Sequence, residues 1–155
     1  VAFEKAAFAY LFEVCKKNPV LKKILSARAD MSNILTAFRS DDESNAKKAA
    51  FLGEALRKTS TRGKVHNIRI ETLADHKDIP AVDVVVARAL APLPLLLEYA
   101  APFLSRGAIG LFHKGQDVDI ELTEATKYWK LDFSRHASIC DSRGVILEVK
   151  EAVRV

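Results

Sequence analysis

The sequence predicts an α/β fold: a mostly parallel sheet with helices on both faces, ending in an antiparallel hairpin at the C-terminal edge. Three observations carry that expectation. From Val65 onward, apolar runs rich in β-branched residues alternate with stretches of helical periodicity, which is how parallel strands joined by helices read. The last two apolar runs, Trp129 to His136 and Val145 to Val153, follow one another with only a polar turn between them, so they pair as a hairpin. Finally, 155 residues, of which 49% are apolar and 28% charged, suffice for one globular domain with a buried core.

Taken in order, residues 1–17 contain neither glycine nor proline and are apolar on several faces, which predicts a mostly buried helix. Asn18-Pro19 closes it, because proline disfavours helical geometry in the residue before it. A second helical stretch runs from Val20 to about Ala29, with Lys22, Lys23 and Arg28 on a solvated face. Ile34 to Phe38 reads as a short strand or irregular segment, with a helical turn as the alternative. From Ser44 or Asn45, either of which can cap a helix, Ala49, Phe51, Leu52, Ala55 and Leu56 form one apolar stripe opposite Lys47, Lys48, Arg57 and Lys58. Gly63 ends that stretch.

Val65 to Ile70 is the next strand, and a short polar connection leads to Val82-Asp83-Val84-Val85-Val86-Ala87, a run typical of a strand buried on both faces. Pro92 and Pro94 open a helix over Leu95 to Leu104, which Ser105-Arg106-Gly107 terminates. A strand over Ala108 to His113, a helix from about Val118 to Lys127 and the terminal hairpin complete the chain.

Composition excludes several classes of protein. High apolar content with charge of both signs is the opposite of the disordered signature. The longest nearly uncharged stretch, Ala89 to Leu97, is far short of the roughly 20 residues a membrane span needs. The N-terminus threads acids and bases from its first residues, unlike a signal peptide. Cys15 and Cys140 stand far apart without a CxxC, and the four histidines are scattered, so a reducing cytoplasmic setting and no metal are expected. Charge is uneven: residues 1–70 hold 14 Lys and Arg against 7 Asp and Glu, a net +7, whereas residues 71–155 hold 10 against 13, a net −3. A basic half suits a polyanionic partner such as nucleic acid.

Four segments carry a more specific signal: Glu43-Ser44-Asn45-Ala46-Lys47-Lys48-Ala49-Ala50-Phe51-Leu52, Val65-His66-Asn67-Ile68-Arg69-Ile70-Glu71, Asp83-Val84-Val85-Val86-Ala87-Arg88-Ala89-Leu90-Ala91-Pro92-Leu93 and Leu111-Phe112-His113-Lys114-Gly115. Together, in this order, they resemble the RsmG (GidB) family of bacterial S-adenosylmethionine-dependent methyltransferases, which act on a guanine N7 of small-subunit (16S) ribosomal RNA. The resemblance covers roughly residues 43–155, as one Rossmann-like methyltransferase core behind an atypical or incomplete helical segment over residues 1–42.

The resemblance implies roles. Glu43 matches the acid that accepts hydrogen bonds from both ribose hydroxyls of the cofactor, a task suited to a carboxylate because it only accepts. Ile70 and Glu71 match the strand end that lies against the adenine. Arg88, at the carboxyl edge where open α/β sheets bind ligands, is implied against the cofactor and the incoming base. Lys114, before Gly115, is implied to meet RNA. Guanine N7 carries a free lone pair, so methyl transfer from S-adenosylmethionine needs no general base, and none is evident. The implied partner is ribosomal RNA or the small ribosomal subunit, met in the cytoplasm by a monomer, with no membrane and no metal.

Two departures stand beside the match. The family's glycine-rich loop after the first strand has no counterpart, since no glycine precedes Gly53. The apolar strand that should run directly into Glu43 is replaced by Arg39-Ser40-Asp41-Asp42. A catalytically silent RNA-binding relative is therefore the alternative reading.

Overall fold

The computed structural model describes residues 19, 35–38, 43–58, 64–75, 77, 81–88, 90–139 and 142–155. The helices expected over residues 1–17 and 20–29 lie outside them. The chain forms two compact units, Arg28–Ala81 and Val82–Val155 with Val1–Ala27, so the boundary expected between residues 42 and 43 falls inside the first unit.

The first unit holds a strand–helix–strand motif: β1 (Leu35–Phe38), α1 (Glu43–Lys58) and β2 (Lys64–Arg69). A 3₁₀ turn over Ile70–Asp75 follows β2, where the sequence reading has only a polar connection. β1 and β2 pair in parallel, Leu35 with Lys64, Thr36 with Val65 and Phe38 with Arg69, with a register shift between Thr36 and Phe38. The ambiguous segment is thus a strand, and a parallel strand does precede Glu43. Arg39-Ser40-Asp41-Asp42 lie outside the described residues. α1 begins at Glu43, before the expected caps. On its outer side Glu54 accepts two hydrogen bonds from Arg57, at 3.0 Å from Nε and 2.6 Å from Nη2, an i,i+3 pair on an exposed face.

In the second unit the order along the chain is β3 (Val84–Arg88), α2 (Leu93–Leu104), β4 (Ile109–Lys114), α3 (Val118–Ala125), β5 (Trp129–Ala137) and β6 (Val145–Arg154). The strands lie side by side as β3-β4-β6-β5. β3 and β4 are parallel; β6 runs antiparallel to β5, as the expected hairpin, and antiparallel to β4 as well. The last strand therefore inserts between its hairpin partner and the parallel pair, in a mixed α/β sheet.

One face of this sheet packs against both α2 and α3. Ala87 from β3, Phe112 from β4, and Leu147 and Val149 from β6 meet Leu93, Leu96, Leu97, Ala100 and Leu104 of α2 and Val118, Leu122 and Ala125 of α3. The opposite face carries Ile109, Leu111 and Ile146, also buried. β4 is thus the strand buried on both faces. β3, expected in that role, is half-buried, with Val86 38% exposed, because it is the outer strand of this four-stranded sheet. Among the described residues, the helices of this unit lie on one face only.

Two glycines in this unit have assignable causes. Gly107 adopts φ +95° just past the end of α2, where its N–H bonds to the Leu104 carbonyl and the following Ala108 N–H to that of Phe103, ending the helix as the sequence predicts. At Gly110 a Cβ would sit 2.5 Å from Cζ of Phe112, so the absent side chain is the space in which that fully buried ring lies.

Candidate functional site

Parallel pairing sets the geometry of the first unit's candidate site. Because β1 and β2 run the same way, with Phe38 opposite Arg69, their carboxyl ends meet at one edge. Glu43 opens the helix that follows β1, and Ile70 and Glu71 open the 3₁₀ turn that follows β2. The fold therefore brings the three residues expected to hold a nucleoside to the carboxyl edge of one parallel pair. Ile70 is half-buried and Glu71 exposed, an apolar surface beside an acceptor. Glu71 Oε2 lies 3.6 Å from Arg69 Nε, a loose, solvent-exposed pair of little energetic weight. Thr72 caps the strand end through a 2.9 Å hydrogen bond from its hydroxyl to the Arg69 carbonyl.

Two carboxylates, which only accept, beside an apolar residue are the residue types that would suit the hydroxyls, amine and ring of a nucleoside. The methionine end of S-adenosylmethionine needs a close backbone approach, which glycine usually supplies. Neither the described residues of β1 and its flank nor any residue before Gly53 offers a glycine for it.

In the second unit, Arg88 and Lys114 end the adjacent parallel strands β3 and β4. Sequence reading puts both at the substrate side, but the register separates them. Arg88 stands opposite His113, and Ala87 opposite Phe112. Side chains alternate along a strand, so Arg88 shares a face with His113 and Val86, whereas Lys114 lies on the α2 and α3 face with Phe112. Arg88 is exposed, and among the described residues no carboxylate pairs with it. An arginine left in water at a carboxyl sheet edge is available to an external anion.

Lys114 is not available in that way. It is 7% exposed; its Nζ donates to Glu121 Oε2 at 2.6 Å and to the Ala91 carbonyl at 2.9 Å. The same Glu121 oxygen accepts the backbone N–H of Leu93 at 2.6 Å. The structure shows Lys114 in internal contacts, where the resemblance implies an RNA contact. A carboxylate in the first turn of α3 draws the ammonium inward, because a buried ammonium requires a partner. At Gly115 the φ is not left-handed, and among the described residues a Cβ would touch nothing.

Glu121 itself escapes sequence reasoning. Its signal is a Lys-Gly at a strand end followed by an acid in the first turn of the next helix; the two residues belong to different elements, so no single period relates them. His113, level with Arg88, also goes unremarked as a site residue, although it lies within one of the segments quoted for the resemblance.

Among the described residues, no helix is long and apolar enough to cross a membrane. The model of the family described as rRNA small subunit methyltransferase G matches residues 42–147. The chain is 50% identical over 114 residues to a protein of Rhodopseudomonas palustris (strain HaA2), covering 72% of this chain and 47% of that one. It is 49% identical over 112 residues to one of Nitrobacter hamburgensis, covering 72% and 43%, and 50% identical over 112 residues to one of Rhodospirillum rubrum, covering 72% and 54%. All three relatives are called ribosomal RNA small subunit methyltransferase G. The chain spans about half the length of these curated relatives.

Proposed function

This chain belongs to the family of the rRNA small subunit methyltransferase G, and on that premise we propose that it transfers a methyl group from S-adenosylmethionine to a guanine N7 of small-subunit (16S) ribosomal RNA. The observation that carries the reading is the convergence of Glu43, Ile70 and Glu71 at the carboxyl edge of the parallel pair β1 and β2. In this reading the Glu43 carboxylate accepts from the two ribose hydroxyls, Ile70 lies against the adenine, and Glu71 accepts from its amine.

S-adenosylmethionine supplies, when bound, a methyl group on a positively charged sulfur, open to attack by a lone pair. The chain's own residues then have two tasks, orientation and charge. Arg88, exposed and without a carboxylate partner among the described residues, binds an anion at the carboxyl edge of β3, either the cofactor's carboxylate or an RNA phosphate. Guanine N7 needs no deprotonation, so positioning does the work that a general base does elsewhere. Lys114 serves the substrate side indirectly, from within. The reading carries with it a monomeric, cytoplasmic protein that meets ribosomal RNA or the small subunit without a metal.

Calorimetric titration of the chain with S-adenosylmethionine tests the proposal. Saturable binding that Glu43→Ala weakens at least about tenfold supports it, a loss of the size expected for hydrogen bonds to a charged group. Absence of binding at millimolar cofactor supports the silent RNA-binding relative instead.

A further inference from the structure

The Lys114–Glu121 pair sits where neither fold nor charge alone explains it. Three groups converge on one carboxylate oxygen and one ammonium. Glu121 Oε2 accepts from Leu93 N–H and from Lys114 Nζ, both at 2.6 Å, and Lys114 Nζ donates onward to the Ala91 carbonyl at 2.9 Å. Ala91 and Leu93 flank Pro92, the residue before α2. The pair therefore grips, on either side of Pro92, the α2 end of the connection that leaves β3 at Arg88 and enters α2 at Leu93.

Each contact has a physical reason to be strong. Leu93 N–H belongs to the first turn of α2, where backbone donors have no partner inside the helix, and Pro92 offers no side-chain cap. A carboxylate there is favoured by the helix dipole as well as by the hydrogen bond. Lys114 is 7% exposed, so its charge is held by Glu121 and the Ala91 carbonyl rather than by water. Pro92 contributes rigidity of its own, with φ −55° and ψ 151°. A connection of four residues between Arg88 and Leu93 is thus fastened at its far end to the neighbouring strand and helix.

We propose that Glu121 is a positioning residue: held by the buried Lys114, its carboxylate fixes the Arg88–Leu93 connection, and so the backbone that presents Arg88 to the base being methylated. The proposal rests on the methyltransferase reading given above, and it assigns Lys114 to the same clamp. Glu121 touches neither cofactor nor RNA; it acts through Leu93.

The test compares two double variants in the full chain. Lys114→Met with Glu121→Gln removes both charges but leaves an amide oxygen to accept Leu93 N–H. Lys114→Met with Glu121→Leu removes both charges and the acceptor. Neither leaves an isolated buried charge, so both should fold. Methyl transfer to small-subunit ribosomal RNA, cofactor Kd by calorimetry and hydrogen exchange at the Leu93 amide are measured for both. The Gln variant, which keeps the acceptor of Leu93 N–H but loses the hold of Lys114, is expected to retain several-fold more of kcat than the Leu variant. The Leu variant should lose about tenfold or more in kcat, as expected for a small displacement of a positioned group. Cofactor Kd should be the same in the two, and exchange at Leu93 should be faster in the Leu variant.

Equal kcat in the two variants overturns the proposal and leaves the functional reading intact, as does a fall in kcat matched by a fall in thermal unfolding midpoint. An unsubstituted protein that transfers no methyl group overturns the functional reading and the proposal with it. If either double variant fails to fold, Glu121→Ala alone, which removes the acceptor of Leu93 N–H, is compared with the unsubstituted protein on the same three readouts, and an unchanged Leu93 exchange rate rejects the clamp.

Discussion

Arg88 and Lys114 end neighbouring strands one residue out of step, and that single step gives them different lives. Arg88 faces water, and among the described residues no carboxylate pairs with it. Arg88→Ala should therefore leave stability within about 0.5 kcal/mol of the unsubstituted protein, the usual range for a surface site, while methyl transfer falls below detection. Urea denaturation and a transfer assay on the same preparation check both halves; a loss of stability on the scale of a core deletion would mark Arg88 as structural. For Lys114→Ala the expectation is reversed. Removing the ammonium leaves Glu121 without its counter-charge, at a cost of about 3 kcal/mol, near the lower end for a broken buried pair because the Glu121 side chain is still 24% exposed. Denaturant titration measures that directly, and a cost near zero would contradict the buried pairing. The position of Arg88 at a sheet edge was legible from the apolar strand before it. The partner of Lys114 was not, because it lies across a strand, a loop and a helix turn, and no local period links residues 114 and 121.

At the scale of elements, local chemistry predicted most of what formed. Gly107 stops α2 where left-handed φ is needed, and the β-branched run before Arg88 forms a strand. Neighbours decided the rest. The composition of β3 reads as doubly buried, yet it is the outer strand of its sheet and β4 takes the central place. The 3₁₀ turn after β2 has no strong signal in Glu71-Thr72-Leu73, and it forms where Leu73 can be buried. Gly110 gives this scale its prediction. A methyl group there meets the Phe112 ring at 2.5 Å, and the ring is walled in by the α2 and α3 face, so Gly110→Ala should cost about 1–3 kcal/mol through overpacking. Thermal unfolding of this variant checks it, and pairing it with Phe112→Leu should recover part of the loss if the ring is the obstacle.

Over the whole chain, the charge distribution suits the proposed RNA partner. The basic excess lies in residues 1–70, the segment that also contains Glu43 and Ile70. Binding of ribosomal RNA should therefore weaken steeply with salt, the logarithm of affinity falling linearly with that of salt concentration, as phosphate contacts release counterions. A salt-independent affinity would show that base contacts, not phosphates, dominate. The proposed reaction is tested most directly by transfer of labelled methyl from S-adenosylmethionine to small-subunit ribosomal RNA by the unsubstituted protein. Label is expected at a guanine N7 and is lost in Arg88→Ala. No incorporation into free RNA or small subunits at saturating cofactor, from protein shown to be folded, would contradict it.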